Sequence, residues 1–476
     1  MVVEKDLEYK MTEYNKIEMK MEELERICSE TAAKIPRGRA DQWEIFAARS
    51  LENEIDVFNG DIETLSFSDS TGIGIRIFKD SSIGYAYTAV LEEDAITDTI
   101  NKAVDNAKIT KTDKLNYLPT GKDYKYSKNQ VDKKLLFDMD FFKVGVTEKI
   151  EMAKELEVLT KKADSRVTGV TNVMYSDGIS EVAILNSNGL SDSYNTTIAL
   201  VYVNAISRKD GDTSTGDYFG ISRNPLDIGL GDIASEAARR SVAILGGKKI
   251  KSRSMDIVLD PMVAAQFMAI IAATLNADSV QKGKSLFKDK TGEKIFNIEA
   301  DIFDDGTLPS GLASRPFDGE GVIKGKTPVF EKGILKTYLY DTYTARKDRT
   351  LSTGNASRAS YRSTPSVGAS NFYISPGSYT PEDIIGGVGS GLYVMDIIGL
   401  GSGINPISGQ MSVGAKGLLI EKGRLGGPVK EITIATDILS FLKSFKMLGN
   451  DLKFIPAGGY LGSPTILVEN ISISGI

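Results

Sequence analysis

The chain has 476 residues and a mass of 51.6 kDa, with 57 Lys and Arg against 64 Asp and Glu, a net charge of −7. Apolar residues at 41% and charged residues at 25% support a packed core and exclude wholesale disorder. The net-acidic balance argues against nucleic acid as a partner, because that affinity rests on neutralising phosphates. There is no histidine and a single cysteine, Cys28, which excludes Ser-His-Asp and Cys-His nucleophiles, His-ligated zinc or haem, and any intrachain disulfide.

The first residues are charged from Glu4 onward and lack an apolar core, so no secretory leader is expected there. The longest nearly apolar run, 262–275, is too short for a membrane span. A cytoplasmic protein without membrane contact is the expectation. Ile17, Met21, Leu24, Ile27 and Cys28 recur at helical spacing and predict a helix over about 14–35. Between 42 and 89 the period drops to two. Short antiparallel strands are expected at 55–57, 62–67, 73–77 and 83–87, with Asn59-Gly60 at a turn. Ala95, Ile96, Thr99, Ile100, Ala103 and Ala107 predict a helix over 92–108, and the polar stretch 111–130 reads as a linker.

The order then repeats. A helix near 141–162 precedes strands at 167–174, 182–185 and 198–206, with Asn188-Gly189 at a turn and a closing helix at 232–245. The pattern is that of a duplicated helix–meander–helix unit. Beyond it, Asp260-Pro261 sets an N-cap acid before a first-turn proline and predicts a core helix through Ala273. The last 100 residues hold 19 of the 46 glycines, the mark of many tight turns in a β-rich domain. The expected fold class is α+β, with mostly antiparallel sheets, in three units at 1–120, 121–246 and 247–476.

Local motifs carry little chemistry. Gly283-Lys284-Ser285 and Gly325-Lys326-Thr327 end like phosphate loops, but Asp278 and Glu320 stand where each needs its first glycine. Ser279 and Lys282 have the spacing of a Ser/Lys nucleophile, a tetrad that recurs at Ser285–Lys288 and Ser440–Lys443. Asp301, Asp304 and Asp305, then Asp318 and Glu320, are candidates for acid/base work or for a hard cation, as are Asp210, Asp212, Ser214 and Asp217. The basic run from Arg239 to Arg253 lacks interleaved aromatic residues and complements a helix end.

Five blocks in the C-terminal half are informative together: GLASRPFDGEGV (311–322), YTARKDRTLSTGNA (343–356), PVKEITIA (428–435), Gly449-Asn450-Asp451 and GSPTILVENISISG (462–475). In order and spacing the chain resembles the TldD/PmbA family, once labelled modulators of DNA gyrase and linked to a cytosolic peptidase. The similarity runs from about residue 40 to the C-terminus. The resemblance implies two kinds of subunit. The TldD kind carries His-Glu-x-x-x-His on a central helix and a cysteine near the C-terminus, which bind zinc. The PmbA kind, also called TldE, lacks them. The matching helix here, 261–277, offers Gln266 and no acid between 266 and 273, and the segment 456–463 has no cysteine. No zinc ligand carries over, so the chain resembles the PmbA kind.

That resemblance implies a non-catalytic subunit of a metallopeptidase complex acting on unfolded or leader peptides. Its partner would be a zinc-bearing TldD-like chain, or a second copy in a homodimer, and no cofactor would belong to this chain. A self-sufficient hydrolase using Ser/Lys or carboxylates, and a gyrase-associated modulator, are the rival readings. Within the matching blocks Arg315, Asp318, Arg346 and Asn355 are the candidates for a peptide or partner groove. Without histidine, stability is expected to be flat from about pH 6 to 8 unless one of the buried acids is strongly shifted.

Overall fold

The computed structural model describes residues 21–128 and 131–476. The first expected helix is seen from residue 21 as α1 (Met21–Ala33); its beginning, and the end of the linker at 129–130, lie outside the described residues. The N-terminal half continues through β1 (Gln42–Phe58), β2 (Asp61–Lys79), β3 (Ser82–Thr88) and α2 (Glu93–Ile109). It then repeats that order as α3 (Val146–Ala163), β4 (Val167–Asn186), β5 (Ser191–Lys209), β6 (Asp212–Ser222) and α4 (Leu230–Ala243).

The two meanders form one antiparallel sheet of order β3-β2-β1-β4-β5-β6, joined where β1 pairs with β4. The units expected at 1–120 and 121–246 thus contribute three strands each to a single sheet. Alternation decides the two faces. On β1, Ile45, Ala47, Ile55 and Val57 are buried beneath helices. At one end Leu24 and Ile27 of α1 and Ile96, Ile100 and Ala103 of α2 cover Ile73, Ile75 and Ile77. At the other, α3 and α4 cover Val173, Tyr175, Val201 and Val203 through Leu156 and Ala237.

Several expectations are corrected. The short strands at 62–67 and 73–77 are one strand, β2, and the pieces at 167–174 and 182–185 are one strand, β4. The polar stretch Ser68–Thr71 that looks like a break stays extended because its backbone pairs with β1, Asp69 opposite Leu51 and Thr71 opposite Arg49. The helix expected from 141 starts at Val146, since Phe141 belongs to a preceding 3₁₀ turn and Gly145 is the N-cap. Strand β6 was unforeseen. Asp210-Gly211, read as part of an oxygen-rich loop, is its hairpin turn, with φ of 49° and 80°.

The C-terminal half contributes β7 (Arg253–Leu259), α5 (Pro261–Thr274), β8 (Ile302–Asp305), β9 (Lys326–Glu331), β10 (Ile334–Leu335) and α6 (Thr342–Lys347). There follow β11 (Ala356–Ser357), β12 (Ser366–Val367), β13 (Asn371–Ile374), β14 (Ser390–Ile398), β15 (Gln410–Glu421) and β16 (Arg424–Asp437). The last strands are β17 (Phe445–Leu448), β18 (Lys453–Pro456), β19 (Tyr460–Ser463) and β20 (Ile466–Ser474). One sheet has the order β10-β9-β8-β13-β19-β18. The other, β16-β15-β14-β7-β20-β17, curls until Thr433 and Ile434 of β16 meet Ser474 and Ile473 of β20.

Helix α5 packs against strands of both sheets and is the centre of the largest core, with Val263, Phe267, Met268 and Ile271 buried. Its start is as expected: Asp260 accepts the Met262 N–H at 3.0 Å, ahead of the first-turn Pro261. No helix among the described residues is long and apolar enough to cross a membrane. The α+β class, the antiparallel sheets and the β-rich second half are as the sequence predicts.

Candidate functional site

The face of the N-terminal sheet opposite its helices looks onto the C-terminal half. Along β4, Met174, Ser180 and Val182 alternate onto this face, as do Tyr194, Leu200 and Tyr202 of β5. Two cavities lie in the cleft between the halves, of about 380 Å³ and about 410 Å³. The end of β18 and the loop after it divide them: Pro456 and Ala457 border the larger, Gly458 and Gly459 the smaller.

The larger cavity bears on the zinc expectation. Helix α5 and the start of the 456–463 segment, where the resemblance sets the ligands of the TldD kind, meet at its wall. They present Met262, Val263 and Gln266 from one side and Pro456 and Ala457, with the adjoining Ile455, from the other. A thioether, an amide and aliphatic groups are not a zinc donor set, which needs imidazole, thiolate or carboxylate. Asp217 and Asp396 also border the cavity; burial and the Asp396 charge push Asp217 up, while Asp396 is 3.0 Å from Lys416 Nζ. Among the described residues no group of three or more Cys, Asp or Glu converges to hold a metal ion. Cys28 is buried between α1 and the sheet, its thiol 3.9 Å from the Ala183 carbonyl and pushed up to about 12 by burial.

The smaller cavity gathers three of the four candidates from the matching blocks. Arg315 lines it and donates through Nη1 to the Leu312 and Ser314 carbonyls at 2.8 and 2.7 Å. Asp318 lines it too, its oxygens accepting the backbone N–H groups of Glu320, Val322 and Ala356 at 2.8 to 3.0 Å. Burial and the Glu320 charge push Asp318 up to about 7, against the pull of Lys324 and these donors. Asn355 stands behind the wall, fully buried, donating to Asp304 Oδ2 at 2.7 Å and to the Gly368 carbonyl at 2.9 Å. Burial raises Asp304 as well.

Arg346 is elsewhere. It borders a separate cavity of about 400 Å³, and its guanidinium is spent on the linker. Nε and Nη2 reach Asp123 at 2.9 and 3.0 Å, while the Leu115, Tyr117 and Leu118 carbonyls take the remaining donors at 2.5 to 3.1 Å. It pins residues 115–123 to α6.

Other candidates disperse. Asp301 accepts the Lys332 N–H, Asp305 caps Thr307, and Asp304 accepts from Asn355 and Ser370. Ser285 is buried against the Thr274 carbonyl, and Lys282 beside Ser279 pairs with Asp278 at 2.6 Å. Asp212 pairs with Lys430 at 2.6 Å. Half of the basic run is neutralised, Arg239 and Arg240 by Glu236, Arg240 also by Asp260, and Lys249 by Glu431.

Two residues of the smaller cavity escaped sequence reasoning. Lys324 and Arg358 each stand two positions beyond a matching block, after Val322 and Ala356, so extending the blocks would have included them. Lys324 is buried, donates to the Gly354 carbonyl at 2.9 Å, and is held below its ordinary range by that burial.

Comparison with known proteins places the chain in a family of metallopeptidases. Models of the PmbA/TldA metallopeptidase match in chain order: domain 1 at residues 43–107, the central domain at 140–245 and the C-terminal domain at 252–475. The chain belongs to the PmbA/TldD metallopeptidase family. It is 26% identical over 447 residues to metalloprotease PmbA of Escherichia coli O157:H7, covering 92% of this chain and 94% of that one. It is also 26% identical over 445 residues to a metalloprotease TldD homolog of Buchnera aphidicola, covering 88% and 89%. Among solved structures, a Thermotoga maritima protein described as a modulator of a DNA gyrase has a TM-score of 0.84 at 28% identity, covering 94% of this chain and all (100%) of that one. TldE from Thermococcus kodakarensis shares the fold, with a TM-score of 0.81 at 23% identity over 96% of this chain and 100% of that one.

Proposed function

We propose that this chain is the non-catalytic, PmbA/TldE-like subunit of a TldD/PmbA-type metallopeptidase complex that acts on unfolded or leader peptides. One observation carries the reading: the two segments where the resemblance sets the ligands of the zinc kind meet at one cavity wall, yet offer Met262, Gln266 and Ala457 where metal ligands are needed. A chain with the family's domains throughout and no metal-binding group in that place serves through shape and surface. Its partner is a related chain carrying His-Glu-x-x-x-His, and hydrolysis belongs to that partner's zinc. This chain supplies the rest of the enclosure around the peptide.

Co-expression with such a zinc-bearing chain tests the assignment. Expected are a co-purifying complex, peptidase activity in the mixture that a chelator abolishes, and no activity from this chain alone. Cleavage of unfolded casein by the purified single chain in the presence of a chelator would transfer the function to a self-sufficient hydrolase. Persistence as a homodimer, with no association at micromolar concentration, would remove the subunit role.

A further inference from the structure

The smaller cavity has an imbalance that the subunit role does not use. Its carboxylates are turned into the protein and saturated. Asp318 accepts three backbone N–H groups, and Asp304 behind the wall accepts from Ser370 N–H at 2.6 Å and Asn355 Nδ2 at 2.7 Å. The cations are not balanced in the same way. Neither Arg315 nor Lys324 forms an ion pair among the described residues, and each has donors beyond its carbonyl contacts. Arg358 lines the same cavity with Nε on the Gly319 carbonyl and Nη2 on Glu44, while its Nη1 is buried with no partner. The Ser370 hydroxyl, 2% exposed, lies beside the Asp304 carboxylate without a well-formed hydrogen bond. A cavity wall rich in unfilled donors and poor in free acceptors is incomplete, because each buried donor left without a partner costs its desolvation.

We infer that this cavity is a binding site for a carboxylate carried by a small ligand with an apolar body, such as the C-terminus of a peptide. Phe46, Phe317, Tyr194 and Tyr361 line it and supply the apolar surface. The planar, two-oxygen acceptor suits the Arg315 guanidinium, with Lys324 as the second cation. A monoanion is favoured over a phosphate dianion, because Asp304 and Asp318 both act electrostatically on Lys324 and would repel a second negative charge. At a volume of about 380 Å³ the space holds a residue or two. The site belongs to this chain alone and stands whether or not a zinc-bearing partner exists.

Calorimetric titration of the purified full chain with Ala-Ala-Phe, its C-terminal amide and inorganic phosphate tests the site. The free acid is expected to bind saturably and the amide at least about tenfold more weakly. Lys324→Met and Arg315→Gln should each weaken the acid by roughly ten- to hundredfold, the scale of one charge-assisted hydrogen bond. Lys249→Gln, a surface cation, should leave it unchanged. Lys324→Met also takes the compensating cation from buried Asp304 and Asp318 and should lower the melting temperature, so Arg315→Gln, which breaks no ion pair among the described residues, is the variant whose unchanged melting temperature separates lost binding from lost folding. Equal binding of acid and amide, binding of neither, or full affinity in Lys324→Met overturns the inference. Phosphate binding tighter than the acid reassigns the cavity to phosphate and overturns the carboxylate.

Discussion

Arg346, a groove candidate by sequence, clamps the linker to α6. All five guanidinium donors are spent on Asp123 and three linker carbonyls, and the side chain is 6% exposed. Replacing it by Ala leaves Asp123 without its charge partner and is expected to cost about 3 kcal/mol. Limited proteolysis read by mass spectrometry should show new cuts within 111–128; an unchanged digest would contradict the clamp. Asp318 makes a prediction about pH. Its folded value of about 7 lies above the ordinary carboxyl value of about 3.9, so between those limits the folded chain holds more protons than the unfolded one. Stability from this group is therefore present at the acid end and lost as pH rises toward 7. Urea midpoints should fall between pH 5.5 and 7.5 in the wild type and fall less in Asp318→Asn. Equal slopes would return stability to the flat profile that a histidine-free composition implies.

At the scale of elements, the close approaches are made by glycine. A Cβ on Gly84 of β3 would stand 1.9 Å from the Ala103 carbonyl oxygen and 2.4 Å from Ala107 N, both backbone atoms of α2. Neither atom yields without moving the helix. Gly84→Ala should cost about 3 kcal/mol, at the upper end for overpacking, measured as a drop in denaturation midpoint. The same economy explains β6, where Gly216 lets the strand lie against the backbone of Arg240 and Ser241. Helices were legible because their apolar faces repeat locally: the stripe Ile96, Ile100, Ala103 and Ala107 is buried as expected. The long strands were not, because the partner strand's backbone holds them extended and leaves no mark in their own side chains. Ser68 to Thr71 reads as a turn and folds as strand.

Across the whole molecule the two halves are joined through charge. Glu44 of β1 takes Arg76 of β2 at 2.9 and 2.6 Å and Arg358 from the C-terminal half; Arg76 reaches Glu320 at 3.2 Å, which also accepts the Thr342 N–H. Burial opposes ionisation of Glu44, but the two guanidiniums hold its carboxyl below the ordinary value. Glu44→Gln leaves two buried cations short of a partner and should cost about 3–5 kcal/mol in urea denaturation. A loss under 1 kcal/mol would mean the halves are held by apolar packing instead.

Composition alone excluded whole classes of chemistry, since an absent imidazole cannot be supplied by folding. Local periodicity gave the helices, the Asn-Gly turns and the repeat of the meander, because each is set by residues near in sequence. The five blocks pointed to the family, and the structure shows why they were informative: 311–322 and 343–356 build the wall of the smaller cavity and the clamp on the linker. Which residues share a cavity was decided by chain crossings of a hundred residues and more. Arg315 and Asn355 came to one place and Arg346 to another, although all three lie in the same pair of blocks. Lys324 and Arg358 became visible only as cations short of partners, for a side chain's unfilled hydrogen bonds depend on everything folded around it.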